Sequence, residues 1–453
     1  MQIPRIVIAG ERSGIGKSSI TIGMLLALRA RGVEPQPFKT GPDFLDPMHH
    51  SIVLGKPSRN LDTWMFGPRV KRSFLDGSQG SDISVIEGVM GLYDGADGRS
   101  EEGSTAHLAK VLRAPVILVL DASASARSAG AVALGFKNYD PMVNIAGVIF
   151  NRVGSANHLG MLKDSLRGME CLGGIPRTAG VELESRHLGL VPAAEGFDQA
   201  KYDRIRGMVE EHCDIDRIIE IARSAPEIGP KVRPAHRSRR KRPSARIGVA
   251  QDEAFNFYYA GNLEYLMALG AEIVPFSPIR DAFPDVDGLY FGGGYPELFA
   301  RQLEDNSGMR TKVKEAAQDG MPIYAECGGM MYACQGVTDT AGNRRSMCGI
   351  FDAEVAMTEK LQAIGYIEVQ ARTDNMLCLK GWETRGHEFH YSKVVSFSET
   401  DFAYDMKRGK GIADRKDGFL AHNTLASYTH LHFASCPDFA RRFVDSCSYR
   451  RRR

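Results

Sequence analysis

Short apolar runs alternate with amphipathic stretches along the first half of the chain. The stretch Ser18–Arg31 carries apolar residues at helical spacing and predicts an amphipathic helix. Strand candidates flank it and continue along the chain: Arg5–Ala9, Pro35–Lys39, Ile83–Glu87, Val116–Asp121 and Ile145–Asn151. Because strands alternate with helical patterns, the sequence predicts a parallel sheet with helices on both faces.

The same alternation begins again near residue 246. Its strand candidates are Arg246–Gln251, Ala271–Phe276, Gly288–Phe291 and Met321–Ala325. The segment at about 347–432 is richer in short alternating runs and turns. The sequence therefore predicts two α/β domains, at residues 1–230 and 246–453.

A basic segment separates the two series. From Lys231 to Arg246, eight of sixteen residues are Lys or Arg, and two more are Pro. Aromatic residues are not interleaved with these charges, as they commonly are in nucleic-acid-binding segments. We therefore interpret residues 231–245 as a solvated linker, with a nucleic-acid patch as the weaker alternative.

Composition narrows the class of protein. The 453-residue chain has 57 Lys+Arg against 55 Asp+Glu, and this balance gives no support for a dedicated nucleic-acid protein. A hydrophobic fraction of 43% is ample for buried cores. No apolar run approaches the ~20 residues that span a bilayer, and no signal peptide is recognisable. The eight cysteines form no CxxC pair. We expect a reduced, cytoplasmic protein with no membrane or nucleic-acid partner.

The segment Gly10–Ser18 follows a strand candidate and opens a helix candidate, which is the context of a phosphate-binding loop. Glycines such as Gly14 and Gly16 let backbone N–H groups approach phosphate oxygens. Lys17 would reach the terminal phosphates, and the Ser18 hydroxyl would bind Mg²⁺. The strict GxxxxGK[ST] pattern fails at its first glycine, so this is a variant loop; a Gly-rich turn with a chance Gly-Lys-Ser is the alternative.

Two acidic segments also follow strand candidates. Asp43 and Asp46 come after the second strand candidate, and Glu87 and Asp94 come at and after the third. Open parallel sheets bind ligands at the carboxyl ends of their strands. Each carboxylate alone is better explained as a cap or turn residue, but beside a phosphate loop these residues are candidate metal ligands.

Arg59 lies in the segment Pro57–Asp62, which we interpret as a loop. Its guanidinium has the fork geometry that binds a substrate carboxylate. A surface ion pair is the alternative, and the sequence does not separate the two.

The segment Tyr324–Met330 predicts a nucleophile elbow. An apolar strand ends at Glu326, Cys327 sits on the turn, and two glycines open a helix. A helix N-terminus favours the thiolate form of such a cysteine. The upstream glycines of Phe291–Glu297 offer backbone amides for an oxyanion hole. Spacing does not choose the base among five histidines, which are His387, His390, His422, His430 and His432.

These motifs, in this order, resemble the cobyrinate a,c-diamide synthase family over essentially the whole chain. The resemblance rests on Gly10–Ser18, Pro37–Pro47, Pro57–Asp62, Glu87–Gly95, Gly292–Pro296, Glu326–Gly329 and Ser427–Phe433. It implies a dethiobiotin-synthetase-like P-loop ATPase domain of parallel-sheet type, followed by a class I glutamine amidotransferase α/β domain. The displaced Gly10 is the dethiobiotin-synthetase form of the loop, so the misfit is expected there.

The resemblance implies a carbon–nitrogen ligase that uses L-glutamine, ATP and Mg²⁺ to amidate a tetrapyrrole polycarboxylate. Glutamine would be hydrolysed at Cys327 through a thioester. The released ammonia would then displace phosphate from substrate carboxylates activated by ATP. Enclosure of both reactions keeps ammonia from protonation and the acyl phosphate from water. A homodimer is left open.

Roles carried over from the family fall on matching residues. The catalytic set is Cys327, His430, Asp46, Glu87 and Asp94. ATP contacts fall on Gly14, Gly16, Lys17, Ser18 and Ser19, with Asn151 where related ATPases read adenine. Metal ligands fall on Ser18, Asp43 and Glu87, substrate contacts on Arg59 and Asp46, and the oxyanion hole on Gly293, Gly294 and Gly328. The usual triad glutamate two residues after the histidine is His432 here, which leaves the third member open.

Three alternatives remain at this stage. A close relative amidates Ni-sirohydrochlorin on the way to the methanogen nickel cofactor, and it shares all these motifs; we favour cobyrinate. Cobyric acid synthases fit the segments Lys39–Pro47 and Pro57–Asp62 less well. A partitioning-type nucleotide switch with a non-catalytic second domain is remote, because the loop carries Arg12 in place of the signature lysine and the cysteine elbow is intact.

Overall fold

The computed structural model describes residues 2–178, 198–229 and 243–451, together with residues 180, 181, 183, 185, 186, 189 and 190. Contacts within the chain define two compact units, Met1–Ala235 and His236–Arg453, and each is described by itself. Most of the predicted linker, residues 231–242, lies outside the described residues.

The first unit alternates strands and helices. Its strands are β1 (Arg5–Gly10), β2 (Pro35–Thr40), β3 (Arg59–Leu61), β4 (Ile83–Glu87), β5 (Val116–Asp121), β6 (Ile145–Val153), β7 (Glu170–Pro176), β8 (Ser185–Arg186) and β9 (Gly189–Leu190). Its helices are α1 (Lys17–Ala30), α2 (Leu45–Leu54), α3 (Thr63–Phe66), α4 (Val70–Gly77), α5 (Thr105–Leu112), α6 (Arg127–Tyr139), α7 (Ala156–Ser165), α8 (Gln199–His212) and α9 (Ile215–Arg223), with a 3-10 turn at Gly67–Arg69.

Seven strands form one parallel sheet in the order β3-β2-β4-β1-β5-β6-β7. The central strands β1, β4 and β5 consist mostly of buried apolar residues, and β1 is buried along its whole length. Helices α1, α8 and α9 cover one face through residues such as Leu25, Ile205 and Ile218. The strand order reverses around β1, so the carboxyl ends of β1, β2 and β4 open onto the crevice where doubly wound sheets bind ligands.

The second unit begins with the same alternation and then becomes strand-rich. Its strands are β10 (Ala245–Ala250), β11 (Ala271–Phe276), β12 (Gly288–Phe291), β13 (Ile323–Glu326), β14 (Gly336–Thr338), β15 (Arg344–Ser346), β16 (Ala353–Met357), β17 (Ala363–Ala371), β18 (Glu383–His390), β19 (Ser392–Phe397), β20 (Asp401–Arg408), β21 (Lys416–Ala421), β22 (Thr424–Ser427) and β23 (His430–Leu431). Its helices are α10 (Ala260–Ala268), α11 (Ala300–Asp305), α12 (Ser307–Gln318), α13 (Gly328–Ala333) and α14 (Pro437–Arg451).

A ten-stranded mixed sheet organises this unit, in the order β11-β10-β12-β13-β22-β21-β20-β17-β18-β23. The first five strands are parallel, and the rest pair antiparallel. A second sheet of four strands has the order β15-β14-β16-β19. Because β12, β13 and β22 are parallel neighbours, their carboxyl ends bring together the glycine loop, Cys327 and the segment that leads to His430.

The predicted fold class is confirmed. Every predicted strand is present within two residues of its predicted ends, and the predicted helix is α1. Within the part of the chain that the structure describes, no helix is both long and apolar enough to cross a membrane.

Candidate active sites

The phosphate loop joins β1 to α1, as the sequence predicts. Gly14 and Gly16 have φ values of 75° and 92°, which are unfavourable for residues with a side chain. Gly16 is the left-handed residue from which α1 begins. The Lys17 ammonium donates to the carbonyl oxygens of Arg12, at 2.9 Å, and Met90, at 2.6 Å. Burial, followed by the charge of Lys39, lowers the pKa of Lys17 to about 8. A phosphate anion would offset both effects.

Ser18 lies in a buried polar cluster at the ends of β2 and β4. Its hydroxyl oxygen is 2.7 Å from Glu87 Oε1 and 3.1 Å from Asp46 Oδ1. Three predicted residues therefore meet at one point. Glu87 is fully buried, since β4 is the central neighbour of β1 and β2. The cluster presents oxygen ligands, as Mg²⁺ requires.

Lys39 and His50 complete the cluster, and sequence reasoning did not assign either a role. Lys39 donates to Glu87 Oε1 at 2.9 Å and forms an ion pair with Asp46. Burial lowers the pKa of Lys39, but the charges of Asp46 and Glu87 outweigh it and hold that pKa above its ordinary value. His50 Nε2 is 2.7 Å from Glu87 Oε2. Two sequence features could have indicated these roles: a lysine within a predicted strand, and the spacing of four residues between Asp46 and His50 on α2.

Asp43 stands at the edge of this cluster. One carboxylate oxygen accepts from the Leu45 N–H at 2.8 Å, which fixes the turn that opens α2. Burial and the neighbouring charge of Asp46 raise the pKa of Asp43 to about 8. Asp43 is 3.9 Å from Lys39, whereas Asp46 contacts both Lys39 and Ser18. The geometry therefore favours Asp46 over Asp43 as the partner of Ser18.

The prediction that Arg59 lies in a loop is wrong. Arg59 is the first residue of β3 and pairs with Phe38 of β2, because this short segment adds an edge strand beside β2. A Cβ placed on Gly77 would lie 3.0 Å from Arg59 Cδ, so the side chain runs along α4. Successive residues of β2 face opposite sides of the sheet, and Lys39 follows Phe38. Arg59 therefore lies on the face opposite to the cluster.

Asp94 and Asn151 support the loop from outside the cluster. Asp94 is exposed and accepts from the Gly91 N–H at 2.8 Å, in a turn whose Leu92 N–H donates to the Gly10 carbonyl oxygen at 2.8 Å. Asn151 Nδ2 donates to the Ile15 carbonyl oxygen at 2.7 Å. Asn151 thus holds the phosphate loop, and its contact with adenine stays a prediction.

Ser19 follows Ser18 in the first turn of α1. Its hydroxyl oxygen is 3.5 Å from the carbonyl oxygen of Val181. Its role in ATP binding stays a prediction.

The donor set near Ser18 fits Mg²⁺. No group of three or more His, Cys, Asp or Glu side chains could hold a metal ion by itself within the described ranges. Mg²⁺ in nucleotide sites commonly uses one or two protein oxygens, water and substrate phosphates. Ser18 with Glu87 or Asp46 supplies that number of protein oxygens.

The elbow around Cys327 has the predicted strand–turn–helix form. Cys327 has φ 48° and ψ −99°, a strained conformation between β13 and α13. Its N–H donates to the Ser427 carbonyl oxygen at 2.7 Å, which ties the elbow to β22. This geometry holds the thiol at the carboxyl end of the parallel strands.

His430 is the histidine that meets Cys327. Burial lowers its pKa, but hydrogen bonds to the side chains of Cys327 and Glu326 outweigh burial and raise the pKa of His430 to about 10. A histidine with a raised pKa beside the nucleophile is placed to donate a proton to a leaving group. His387 stacks on His430 with ring centroids 4.8 Å apart, and His390 stacks on Tyr428 at 3.7 Å. His422 lies in a turn with φ 52°.

The glycine loop after β12 packs against the elbow. A Cβ on Gly328 would lie 3.2 Å from the Gly294 nitrogen, and a Cβ on Gly293 would lie 2.8 Å from His430 Cε1. Gly294 has φ 152°. Gly293 therefore lies beside His430 and Gly294 beside Gly328, and the loop comes this close only because these side chains are absent. Their role as an oxyanion hole stays a prediction.

Glu326 directly precedes the nucleophile and was not assigned a role from the sequence. Its Oε2 is 3.5 Å from His430 Nδ1. His432, at the usual position of the triad acid, lies instead against Tyr259 with ring centroids 4.8 Å apart. The sequence feature that could have indicated this role is an acidic residue at the end of an apolar strand.

Two family models match this chain, one in each unit. Residues 6–191 match the family described as the CobQ/CobB/MinD/ParA nucleotide binding domain. Residues 246–437 match the CobB/CobQ-like glutamine amidotransferase domain. The chain is therefore a glutamine-dependent carbon–nitrogen ligase with a nucleotide-binding domain.

Full-length relatives define the family more narrowly. Proteins named cobyrinate a,c-diamide synthase match from Methanothermobacter thermautotrophicus (44% identical, covering 97% of this chain and 98% of the relative) and Archaeoglobus fulgidus (42%, covering 98% and 97%). The relative of that name from Caldanaerobacter subterraneus is 41% identical and covers 98% of each chain. The chain belongs to the cobyrinate a,c-diamide synthase family.

Proposed function

We propose that this protein uses ATP and glutamine to convert the a and c side-chain carboxylates of cobyrinate into amides. The observation that supports the proposal is the presence in one chain of a phosphate loop with its Ser18–Asp46–Glu87 cluster and of a Cys327–His430 pair on an elbow. The name shared by the relatives supplies the substrate class.

Glutamine hydrolysis takes place at Cys327. The thiolate attacks the side-chain amide carbon of glutamine, and the backbone N–H groups of Gly294 and Gly328 receive the developing oxyanion. The protonated His430 gives its proton to the leaving nitrogen, which departs as ammonia. Water, deprotonated by His430, then cleaves the thioester and releases glutamate.

Amide synthesis takes place at the phosphate loop. A substrate carboxylate attacks the terminal phosphate of ATP, ADP leaves, and an acyl phosphate forms. Ammonia then attacks the acyl carbon and inorganic phosphate leaves, and the sequence is repeated at the second carboxylate. Lys17 and the loop amides hold the phosphates, and Lys39 keeps Asp46 and Glu87 in place. Mg²⁺, held by Ser18 with Asp46 or Glu87, would neutralise phosphate charge.

Product analysis by mass spectrometry tests the substrate. The full chain is incubated with ATP, Mg²⁺ and glutamine, and separately with cobyrinate and Ni-sirohydrochlorin. We expect cobyrinate diamide with the higher kcat/KM. A preference for Ni-sirohydrochlorin would move the chain to nickel-cofactor synthesis, and turnover of neither would remove the substrate assignment.

A further inference from the structure

We propose that Glu326 is the positioning residue that orients His430 and balances its positive charge, in place of the triad acid that this chain lacks. The inference rests on the proposed glutaminase role of Cys327. It starts from one juxtaposition: the carboxylate directly before the nucleophile lies 3.5 Å from His430 Nδ1, and both side chains are buried.

Three donors hold the Glu326 carboxylate. Tyr290 donates to Oε2 at 3.2 Å, the Leu431 N–H donates to Oε1 at 3.2 Å, and the Tyr324 hydroxyl donates to Oε1. Burial, followed by the charge of Glu326, raises the pKa of both tyrosines well above the usual value, so they stay donors. A buried carboxylate with these partners has a fixed direction, as a positioning group needs.

The histidine segment is fixed from both sides as well. Asp417 accepts from the N–H groups of Tyr428 and Thr429, at 3.1 and 2.8 Å. Asn262 donates to the Leu431 carbonyl oxygen at 2.8 Å. His430 is thus placed between Cys327 and Glu326 by its own backbone.

Besides Cys327 and Glu326, the groups packed around His430 are histidines, and they supply no negative charge to it. His387 and His390, both on β18, are buried, and burial followed by the charge of His430 lowers the pKa of His387 well below its ordinary value. Burial lowers the pKa of His390 to about 4. Both rings are therefore neutral at physiological pH. Among the groups that act on His430, Glu326 is the carboxylate.

His432 cannot take this role. Its Nδ1 accepts from the Ala434 N–H at 3.1 Å, and a Cβ on Gly261 would lie 3.0 Å from its ring. Burial lowers the pKa of His432 to about 3, so it carries no charge. The carboxylate that faces His430 therefore belongs to Glu326, on the strand that leads to the nucleophile, and not to the residue two positions after the histidine.

Glu326→Gln tests the proposal in the full chain. We expect glutamate release from L-glutamine to lose roughly 100-fold in kcat/KM, with most of the loss in kcat. The alkaline limb of the pH profile should move to lower pH by about 1 to 3 units, because loss of the carboxylate lowers the pKa of His430. Glu326→Asp keeps the charge and should recover part of the rate and of the alkaline limb.

Asp417→Asn is the matched control. It removes one buried carboxylate beside the same segment and lowers stability, but the alkaline limb should stay at the wild-type pH. Alkylation of Cys327 by iodoacetamide at different pH values, followed by peptide mass spectrometry, reports the thiolate–imidazolium pair without turnover. Thermal unfolding of each variant shows that it is folded.

Two outcomes overturn the proposal. One is a wild-type pH profile and alkylation rate in Glu326→Gln; the other is an equal displacement of the alkaline limb in Asp417→Asn. If the wild-type chain releases no glutamate, but the pH dependence of Cys327 alkylation in the wild type is changed in Glu326→Gln and kept in Asp417→Asn, the proposed glutaminase role fails and the Glu326–His430 coupling stands.

Discussion

Glu87 links three side chains of the phosphate-loop cluster. It contacts Ser18, Lys39 and His50, and it is fully buried. A buried carboxylate is tolerated only when its charge is compensated, and here Lys39 compensates it. The charge of Glu87 therefore fixes the position of the groups that would hold the metal ion and the phosphates.

Glu87→Gln should remove ATP-dependent amide synthesis by at least about 100-fold while glutamate release from glutamine continues, because the second unit is untouched. The substitution leaves Lys39 beside a neutral amide and weakens the hold on Ser18. Product mass spectrometry with ammonia as the nitrogen donor measures synthesis alone. Glu211→Gln, on the exposed surface of α8, is the matched control and should keep full activity. Unchanged synthesis in Glu87→Gln would contradict the assigned role.

Cys327→Ser should abolish the use of glutamine and keep synthesis at high ammonia concentration. The serine hydroxyl is a far weaker nucleophile than the thiolate, so thioester chemistry stops. Amide formation at the phosphate loop needs only ammonia. Diamide yield with glutamine and with ammonium chloride is compared in the same preparation. Loss of both activities in a folded variant would rule out the two-site mechanism.

At the scale of secondary-structure elements, both candidate sites are built on tight turns that directly follow strands. Gly294 has φ 152°, and a Cβ there would overlap the Ala254 carbonyl oxygen. Gly294→Ala should therefore destabilise the second unit by about 1–3 kcal/mol and abolish glutamate release. Gly308 lies on exposed α12 with nothing near its Cβ position, so Gly308→Ala should be neutral or stabilising by up to about 1 kcal/mol. Thermal unfolding compares the two, and equal stabilities would refute the turn argument.

Elements with strong hydrophobic patterns were predictable from the sequence. The buried strands β1, β4 and β5 were predicted nearly to the residue, because buried parallel strands are nearly continuous apolar runs. β3 was missed because three residues carry too little pattern, and it inherits its strand form from pairing with β2. Local pattern could not supply that tertiary contact.

The candidate sites were predictable to the extent that glycines and chain order mark them. Gly16, Lys17 and Cys327 stand where the motifs placed them. Lys39, His50 and Glu326 were not assigned roles, because a side chain's partners across a sheet depend on strand order, which the sequence does not state. Arg59 was misplaced for the same reason.

At the scale of the whole molecule, the two candidate sites differ in the charged groups that surround them. The phosphate loop gathers positive charge from Lys17 and Lys39 for anionic substrates. In the second unit, burial lowers the pKa of His387 and His390, whereas the pKa of the neighbouring His430 is raised to about 10. The second unit therefore has a pH dependence of stability that its histidines set.

The contribution of His432 to the pH dependence of stability can be measured. Burial lowers its pKa in the folded chain to about 3, whereas an unfolded histidine titrates near 6.5. The unfolded state therefore binds the extra proton, and the stability from His432 is complete above pH 6.5 and is lost as pH falls toward 3. Between pH 6 and pH 4 the loss approaches about 1.4 kcal/mol per pH unit.

Asp417 changes the stability with pH in the opposite direction from His432. Burial raises its pKa to about 6, above the unfolded value near 3.9, so the folded chain binds the extra proton. Its contribution is gained as pH falls from about 6 to 4 and is lost as pH rises through that range. Removal of His432 and removal of Asp417 should therefore change the slope of stability against pH in opposite directions.

Urea unfolding of the full chain between pH 4 and pH 7 tests this pair. The two tryptophans, Trp64 and Trp382, fall one in each unit, so a Trp64→Phe background makes fluorescence report the second unit. His432→Gln should flatten the loss of stability on acidification by about 1.4 kcal/mol per pH unit, and Asp417→Asn should steepen it by a similar amount. Parallel curves for all three chains would show that neither group changes its proton affinity on folding. Slopes that move in opposite directions would show that burial of neutral histidines limits the acid stability of the glutaminase unit.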